Sequence, residues 1–182
     1  MAEAKIYTRG GDKGETSMLS GERVSKADPS IAAVGDLDEL SVALGSARLV
    51  CRQRDALLRD IQKALYQLSA FVSYAGDKQI ERFRLDAGAV DTLEKTIDEV
   101  EASLPSLKEF IFPGLSEAGC RLHQARVVAR RAERTLALLP ADKRAGAMPF
   151  VNRLSDLLFM LAREADLEAG RKDESYRGRK GR

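Results

Sequence analysis

One stretch of this chain leaves little choice of architecture. Ala118, Leu122, Ala125, Ala129, Ala132 and Leu136 recur at steps of four and three residues, the spacing of a single helical face. That face is small and apolar, so the backbone of a neighbouring helix can approach it closely. A seam of this kind belongs in the middle of packed helices. Aromatic residues make up 5% of the chain and Trp is absent, so the core must rely on Leu, Ala, Val and Ile. Such a composition favours helix on helix over a β-sandwich. With 182 residues, 44% of them apolar, the chain can form one domain with a substantial core.

The remaining pattern predicts an all-α protein, a five-helix bundle over residues 29–170 behind a polar arm at 1–28. A first helix starts at Asp28-Pro29-Ser30, where Asp28 can cap and Pro29 suits the first turn. Ile31, Val34, Leu37, Leu40 and Leu44 carry its apolar face. A second helix is predicted over 54–75, with Leu57, Ile61, Ala64, Leu65, Leu68 and Val72 inward, before a polar break at Gly76-Asp77-Lys78. A third covers about 87–103, with Val90, Leu93, Ile97 and Val100. The fourth runs from a Ser116 cap to Leu139 and stops at Pro140, and the fifth runs from about Ala147 to Gly170. Short connections imply antiparallel neighbours. The arm is expected to order on binding, with short extended pieces around Lys5-Ile6-Tyr7. The tail from Arg171 to Arg182 has little to bury and is expected to be mobile.

Composition excludes several classes. Charged residues are 32% of the chain, yet the net charge is only +2, so the balance does not point to nucleic acid or an anionic membrane. No apolar run reaches the roughly 20 residues that span a bilayer. The first residues lack the apolar centre of a secretory signal and are too few for a transit peptide, so a cytoplasmic protein is expected. Cys51 and Cys120 do not make a disulfide framework and read as free thiols.

Two runs carry the chemistry. The first, Thr8-Arg9-Gly10-Gly11-Asp12-Lys13-Gly14-Glu15-Thr16-Ser17, offers backbone donors, a point charge and hydroxyls, as a phosphate-wrapping loop would. It is not a Walker loop, and a flexible arm with turn residues fits its composition as well. The second places Arg126, Arg130 and Arg134 at successive four-residue steps beside Glu133. Stacked like charges cost about 0.2–0.5 kcal/mol per pair on a helix unless anions intervene. A solvated basic face would account for them, but the tight Ala seam beside them points to a groove or another subunit. Guanidinium groups there can fork phosphate oxygens. Asn152 and Asp156 lie one turn apart on the fifth helix; Asn152 can read a nucleotide edge, and Ser155 and Asp156 suit a helix-start hydrogen-bond network. His123, the single histidine, reads as a packed polar group. No Glu-x-x-His pair, His/Cys cluster or Ser–His–Asp set is evident, so an enzyme here would work by positioning and electrostatics.

These runs, with Gly21-Glu22-Arg23-Val24-Ser25-Lys26, Asp38-Glu39-Leu40, Phe110-Ile111-Phe112-Pro113-Gly114 and Asn152-Arg153-Leu154-Ser155-Asp156, resemble the PduO-type ATP:cob(I)alamin adenosyltransferases. The resemblance spans nearly the whole chain, in order. It implies a ferritin-like five-helix bundle that assembles as a homotrimer with active sites between subunits. It implies transfer of the 5′-deoxyadenosyl group of ATP to cob(I)alamin with Mg²⁺ present. A reductase would supply electrons, and an adenosylcobalamin-dependent enzyme would accept the product. On the same ground, Thr8, Arg9, Gly10, Gly11, Asp12, Lys13, Gly14, Thr16, Ser17 and Lys26 would hold the triphosphate. Arg130, Arg131, Glu133, Arg134 and Asn152 would complete the ATP site. Asp38 and Arg126 would form a salt bridge shaping the corrin side. Phe110 would press on the lower corrin face and displace the axial ligand; read without the resemblance, it is a core aromatic closing the turn at Pro113. The chain departs from the family at Gly10, Ser41 and Leu115, none of which removes a charge assigned to ATP. Two other functions fit parts of the pattern: a non-enzymatic adenosylcobalamin carrier, and a small RNA-binding helical protein using Arg126 to Arg134 and the basic tail, against which the scarcity of aromatics argues.

Overall fold

The computed structural model describes residues 6–7, 9–74 and 82–176. After a short hairpin of β1 (Glu15–Ser17) and β2 (Arg23–Ser25) come α1 (Pro29–Arg48), α2 (Asp55–Val72), α3 (Ala89–Ser103), α4 (Glu117–Leu136), the single turn α5 (Ala141–Ala145) and α6 (Met148–Glu168). The protein is thus mostly helical, with five long helices and one two-stranded sheet. The polar break at 76–78 lies outside the described residues.

The small-residue seam decides the packing. Ala125, Ala129, Ala132 and Leu136 are fully buried, and α4 lies between α1 and α6. Beyond them, α2 covers α1 and α3 covers α6, giving the neighbour order α2–α1–α4–α6–α3. Leu37, Leu40 and Leu44 of α1 and Leu154, Leu157, Leu158 and Leu161 of α6 meet in the same core. Both predicted caps are present. Asp28 accepts from the Ser30 N–H at 2.7 Å and Ser116 from the Gly119 N–H at 3.0 Å. Each such cap contributes about 1 kcal/mol.

Three expectations need correcting. The arm is not merely a loop: Thr16 pairs with Val24 in an antiparallel register, Met18 is buried, and the Leu19 N–H donates to Ser73 O at the end of α2. Alternation over only three residues is too short for sequence periodicity to reveal. Ile6 and Tyr7 are exposed and lie outside the strands, and Lys5 lies outside the described residues. Helix α4 ends at Leu136 rather than Leu139; residues 137–139 turn, and α5 follows Pro140. The tail, expected to have little to bury, makes defined contacts over residues 171–176. The buried Arg163 pairs with Asp173, Ile111 bridges Ser175, and the Tyr176 N–H donates to Phe110 O at 2.6 Å. The brace is invisible in sequence because its partner is a loop sixty-odd residues upstream, not an adjacent apolar stripe. Residues 177–182 lie outside the description.

Candidate active site

Helices α3, α4 and α6 enclose an open cavity of about 600 Å³. Arg126 and Arg130 of α4 and Arg153 of α6 line it, together with the carboxylates of Glu94, Asp98 and Glu101 on α3 and Asp156 on α6. A second cavity of about 550 Å³ adjoins it beneath the 107–113 loop and is more apolar, with Phe110, Ile111 and Pro113 in its wall. Arg126 and Phe159 line both.

Arg126 is half-buried at this seam. Its Nε donates to His123 Nδ1 at 3.1 Å, and its guanidinium lies 6.0 Å from the Phe159 ring centre. Burial, and then the nearby charge of Arg130, lower its pKa. Among the described residues none of Arg126, Arg130 and Arg134 has a carboxylate partner; Arg134 donates instead to Arg130 O at 3.0 Å. Two guanidinium groups close enough to oppose each other, with no acid between them, form a wall that an anion stabilises. His123 is pushed down to about 4, first by burial and then by Arg126, with Asp166 acting the other way.

Asn152 is brought to Glu133: its Nδ2 donates to Glu133 Oε1 at 2.8 Å, joining α6 to the arginine face of α4. The helix-start network around Ser155 and Asp156 is also present, as Ser155 bonds to Asn152 O and Asp156 pairs with Arg153. Arg131 is directed elsewhere. It pairs with Asp36 at 3.0 Å and with Glu39, clamping α4 to α1. Asp38 is exposed and makes no pair with Arg126 within the chain; among the described residues Arg126 hydrogen-bonds to His123 alone. Phe110 is 86% exposed, which rules out the reading as a core aromatic. Its loop is braced by the C-terminal segment, a support that the residue pattern did not signal.

In the arm, Arg9 to Gly14 form consecutive tight turns, with Gly14 N–H donating to Gly11 O at 3.2 Å and Lys26 N–H to Gly14 O at 2.8 Å. Gly14 has φ +84°, which glycine adopts without strain. A Cβ at Gly11 would lie 3.0 Å from Lys26 Nζ, so that ammonium group lies close over the loop at a position without a side chain. Lys13 and Asp12 are exposed on the same loop, and Thr16 and Ser17 continue into β1. Thr8 lies outside the described residues. At the three departures from the family pattern, Gly10 O accepts from Arg23, Ser41 O from Gln62 at 2.7 Å, and Asp166 Oδ2 takes the Leu115 N–H at 3.2 Å.

Fold and site together define a helical protein in which arginines of α4 without carboxylate partners among the described residues stand beside a more apolar recess. A family model for cobalamin adenosyltransferase matches residues 6–165. The chain belongs to that family. Corrinoid adenosyltransferase PduO of Citrobacter freundii is 41% identical over 169 residues, covering 90% of this chain and 50% of its own length. This chain therefore spans about half of that relative. Corrinoid adenosyltransferase MMAB of Homo sapiens is 38% identical over 182 residues, covering 94% of this chain and 73% of its own. Among solved structures, a phenylalanine-to-histidine variant of the PduO-type ATP:corrinoid adenosyltransferase from Lactobacillus reuteri, complexed with cobalamin and ATP, superposes with a TM-score of 0.87. It is 31% identical, over 96% of this chain and 97% of that one.

Proposed function

We propose that this chain transfers the 5′-deoxyadenosyl group of ATP to the cobalt of cob(I)alamin, giving adenosylcobalamin and triphosphate. The observation that carries the reading is the seam at Arg126, where guanidinium groups with no acid partner among the described residues adjoin an apolar recess and the exposed Phe110. A polyanion and an apolar macrocycle can meet there.

Reduced cobalt is itself a strong nucleophile, so no protein base is required. Its electron pair forms the Co–C5′ bond, the C5′–O bond breaks, and triphosphate leaves with that pair; Co(I) becomes Co(III). The protein's part is to hold C5′ in line, neutralise the departing charge and keep water out. Lys13, Lys26, Arg130 and Arg134 serve the leaving group, with Asn152 and Glu133 holding the nucleotide. Phe110 takes the lower corrin face. Four-coordinate Co(II) accepts an electron more readily, because losing the axial donor relieves repulsion in the orbital that fills. Among the described residues no cluster of three His, Cys, Asp or Glu could hold a metal, so Mg²⁺ would arrive on the phosphates as a counter-charge.

The arm docks on the end of α2, while the cationic wall belongs to the α3–α4–α6 side. That separation supports a composite site in a homotrimer, the loop of one subunit meeting α4 of the next. Asp38 would then pair with Arg126 across the interface. The reading includes a single ferritin-like, antiparallel domain in the cytoplasm, fed by a reductase and serving an adenosylcobalamin-dependent enzyme. No helix among the described residues is long and apolar enough to cross a membrane.

The test mixes protein, Mg²⁺-ATP and cob(I)alamin and follows the adenosylcobalamin spectrum and free triphosphate. Corrinoid binding with no product would make the chain a carrier. In Arg130→Ala, kcat should fall about a hundredfold with the fold intact, as expected for lost stabilisation of developing charge. Normal turnover in that variant would remove Arg130 from the mechanism.

A further inference from the structure

His123 is the chain's one histidine, and the proposed chemistry gives it nothing to do. It is 6% exposed on α4, one turn before Arg126, and its ring packs 5.9 Å from Phe159 at the seam between the two cavities. Its Nδ1 receives the Arg126 Nε–H at 3.1 Å. An imidazole that accepts at Nδ1 must carry its proton at Nε2. Nε2 is buried and has no protein acceptor among the described residues. The carboxylate of Asp166, itself 5% exposed with Oδ1 unpaired, raises the His123 pKa from nearby on α6 and favours a proton on that ring.

We propose that His123 is a positioning residue for adenosyl transfer: by accepting from Arg126 Nε it aims the two Nη groups of that guanidinium at the junction of the cavities. The proposal rests on the corrinoid reading above. The geometry behind it is local. Nε is the one Arg126 nitrogen with a protein partner among the described residues, so this bond fixes the plane of the fork. Phe159 closes the other side. Without the acceptor, the guanidinium would rotate out toward solvent or leave a half-buried N–H unpaired, and the seam would lose its defined shape. A neutral ring is essential, because an imidazolium would present N–H to N–H and like charge to like charge. Burial and Arg126 oppose that charging, Asp166 favours it, and burial dominates.

Two measurements test this. With histidine ¹⁵N-labelled, the single ring of the full-length protein should show an unprotonated Nδ1 and a protonated Nε2 at pH 6. An Nδ1–H tautomer, or an imidazolium at that pH, overturns the proposal whether or not any variant folds. In steady-state assays, His123→Leu should lower kcat over KM for cob(I)alamin about ten- to a hundredfold, the effect of losing a hydrogen bond to a charged group. The KM for ATP should move less than about threefold. His123→Asn, whose Oδ1 sits where Nδ1 was, should recover activity to within about threefold of the parent protein. Equal impairment of the Leu and Asn variants, or an unimpaired Leu variant, overturns the proposal. A parent protein that forms no adenosylcobalamin sinks the functional reading instead, and the tautomer measurement still decides the His123–Arg126 bond.

Discussion

Replacing Asp173 by Ala should destabilise the protein and loosen the loop that carries Phe110. Arg163 is 3% exposed; its Nη2 donates to Asp173 Oδ2 at 2.7 Å and to Pro105 O at 2.7 Å, while Nε donates to the same carboxylate. Removing one partner of a buried ion pair costs about 3–5 kcal/mol, because a charge is left without compensation. The Asp173 side chain is 25% exposed, so water reaches the vacated place. Pro105 O also remains, and together these reduce the cost to roughly 2–3 kcal/mol. In a chain of this size each kcal/mol moves Tm by about 2–4 °C, so Tm should drop by roughly 4–12 °C. Circular dichroism during heating measures it. Asp60→Ala, which removes an exposed pair with Lys63, is the control and should cost less than about 1 kcal/mol. Hydrogen exchange at residues 105–112 should rise in Asp173→Ala, since the same segment supplies the main-chain partners of Phe110 and Phe112. Adding Arg163→Met should recover much of the loss, because a buried pair replaced by apolar side chains is often neutral. A Tm change below about 1 °C in the single variant, or a double variant no better than the single, would refute the reasoning.

Phe110→Ala should weaken the four-coordinate Co(II) signature on the ATP-bound protein and change ATP affinity less than about twofold, since its exposed ring lines the apolar cavity and not the one that Arg126 and Arg130 share; an unchanged spectrum counts against its role. Gly119→Ala should cost about 1–3 kcal/mol in urea unfolding. Its Cβ would fall 2.1 Å from Asp166 Oδ1 and displace the carboxylate that takes the Leu115 N–H, so an unshifted midpoint would contradict that packing. Iodoacetamide at pH 8 should modify the exposed Cys120 first. Cys51 is pushed up to about 11, chiefly by burial and then by Glu168, so its thiolate is scarce until the pH nears that value; equal rates by intact mass would be inconsistent.

The helices were legible because burial imposes a period. Leu37, Leu40 and Leu44, the Ala125–Ala129–Ala132 seam and Leu154 to Leu161 all occupy the faces their spacing announced. Ile31, Val34, Leu57, Val90 and Ile97 lie on the same faces but are only partly buried, since they approach the edges of the bundle. Elements held by main-chain hydrogen bonds left no such trace. The β1–β2 hairpin and the strand-like contact of Ser175 with Ile111 depend on partners that no local pattern specifies. Phe110 shows the same limit from the other side: an aromatic next to Ile and Phe reads as core by composition, yet its ring is left exposed while its neighbours anchor the loop.

The arginine run shows why residue type alone could not sort the site. Arg130 and Arg131 are adjacent and chemically identical, but one residue turns a helix by about 100°. That step sends Arg131 to α1, where Asp36 and Glu39, three residues apart, present two carboxylates to it. Thr135 reinforces the contact by donating to Asp36 at 2.5 Å. Nothing in the run itself says on which side those acids lie. Once α1 engages Arg131, none of Arg126, Arg130 and Arg134 is paired with a carboxylate among the described residues, and Glu133 is held by Asn152. On the proposed function, repulsion along that face is relieved by the triphosphate rather than by the fold. The clamp that fastens α4 to α1 and the unpaired arginine face to which the proposed function assigns a polyphosphate therefore arise from one helix, divided by a single residue step.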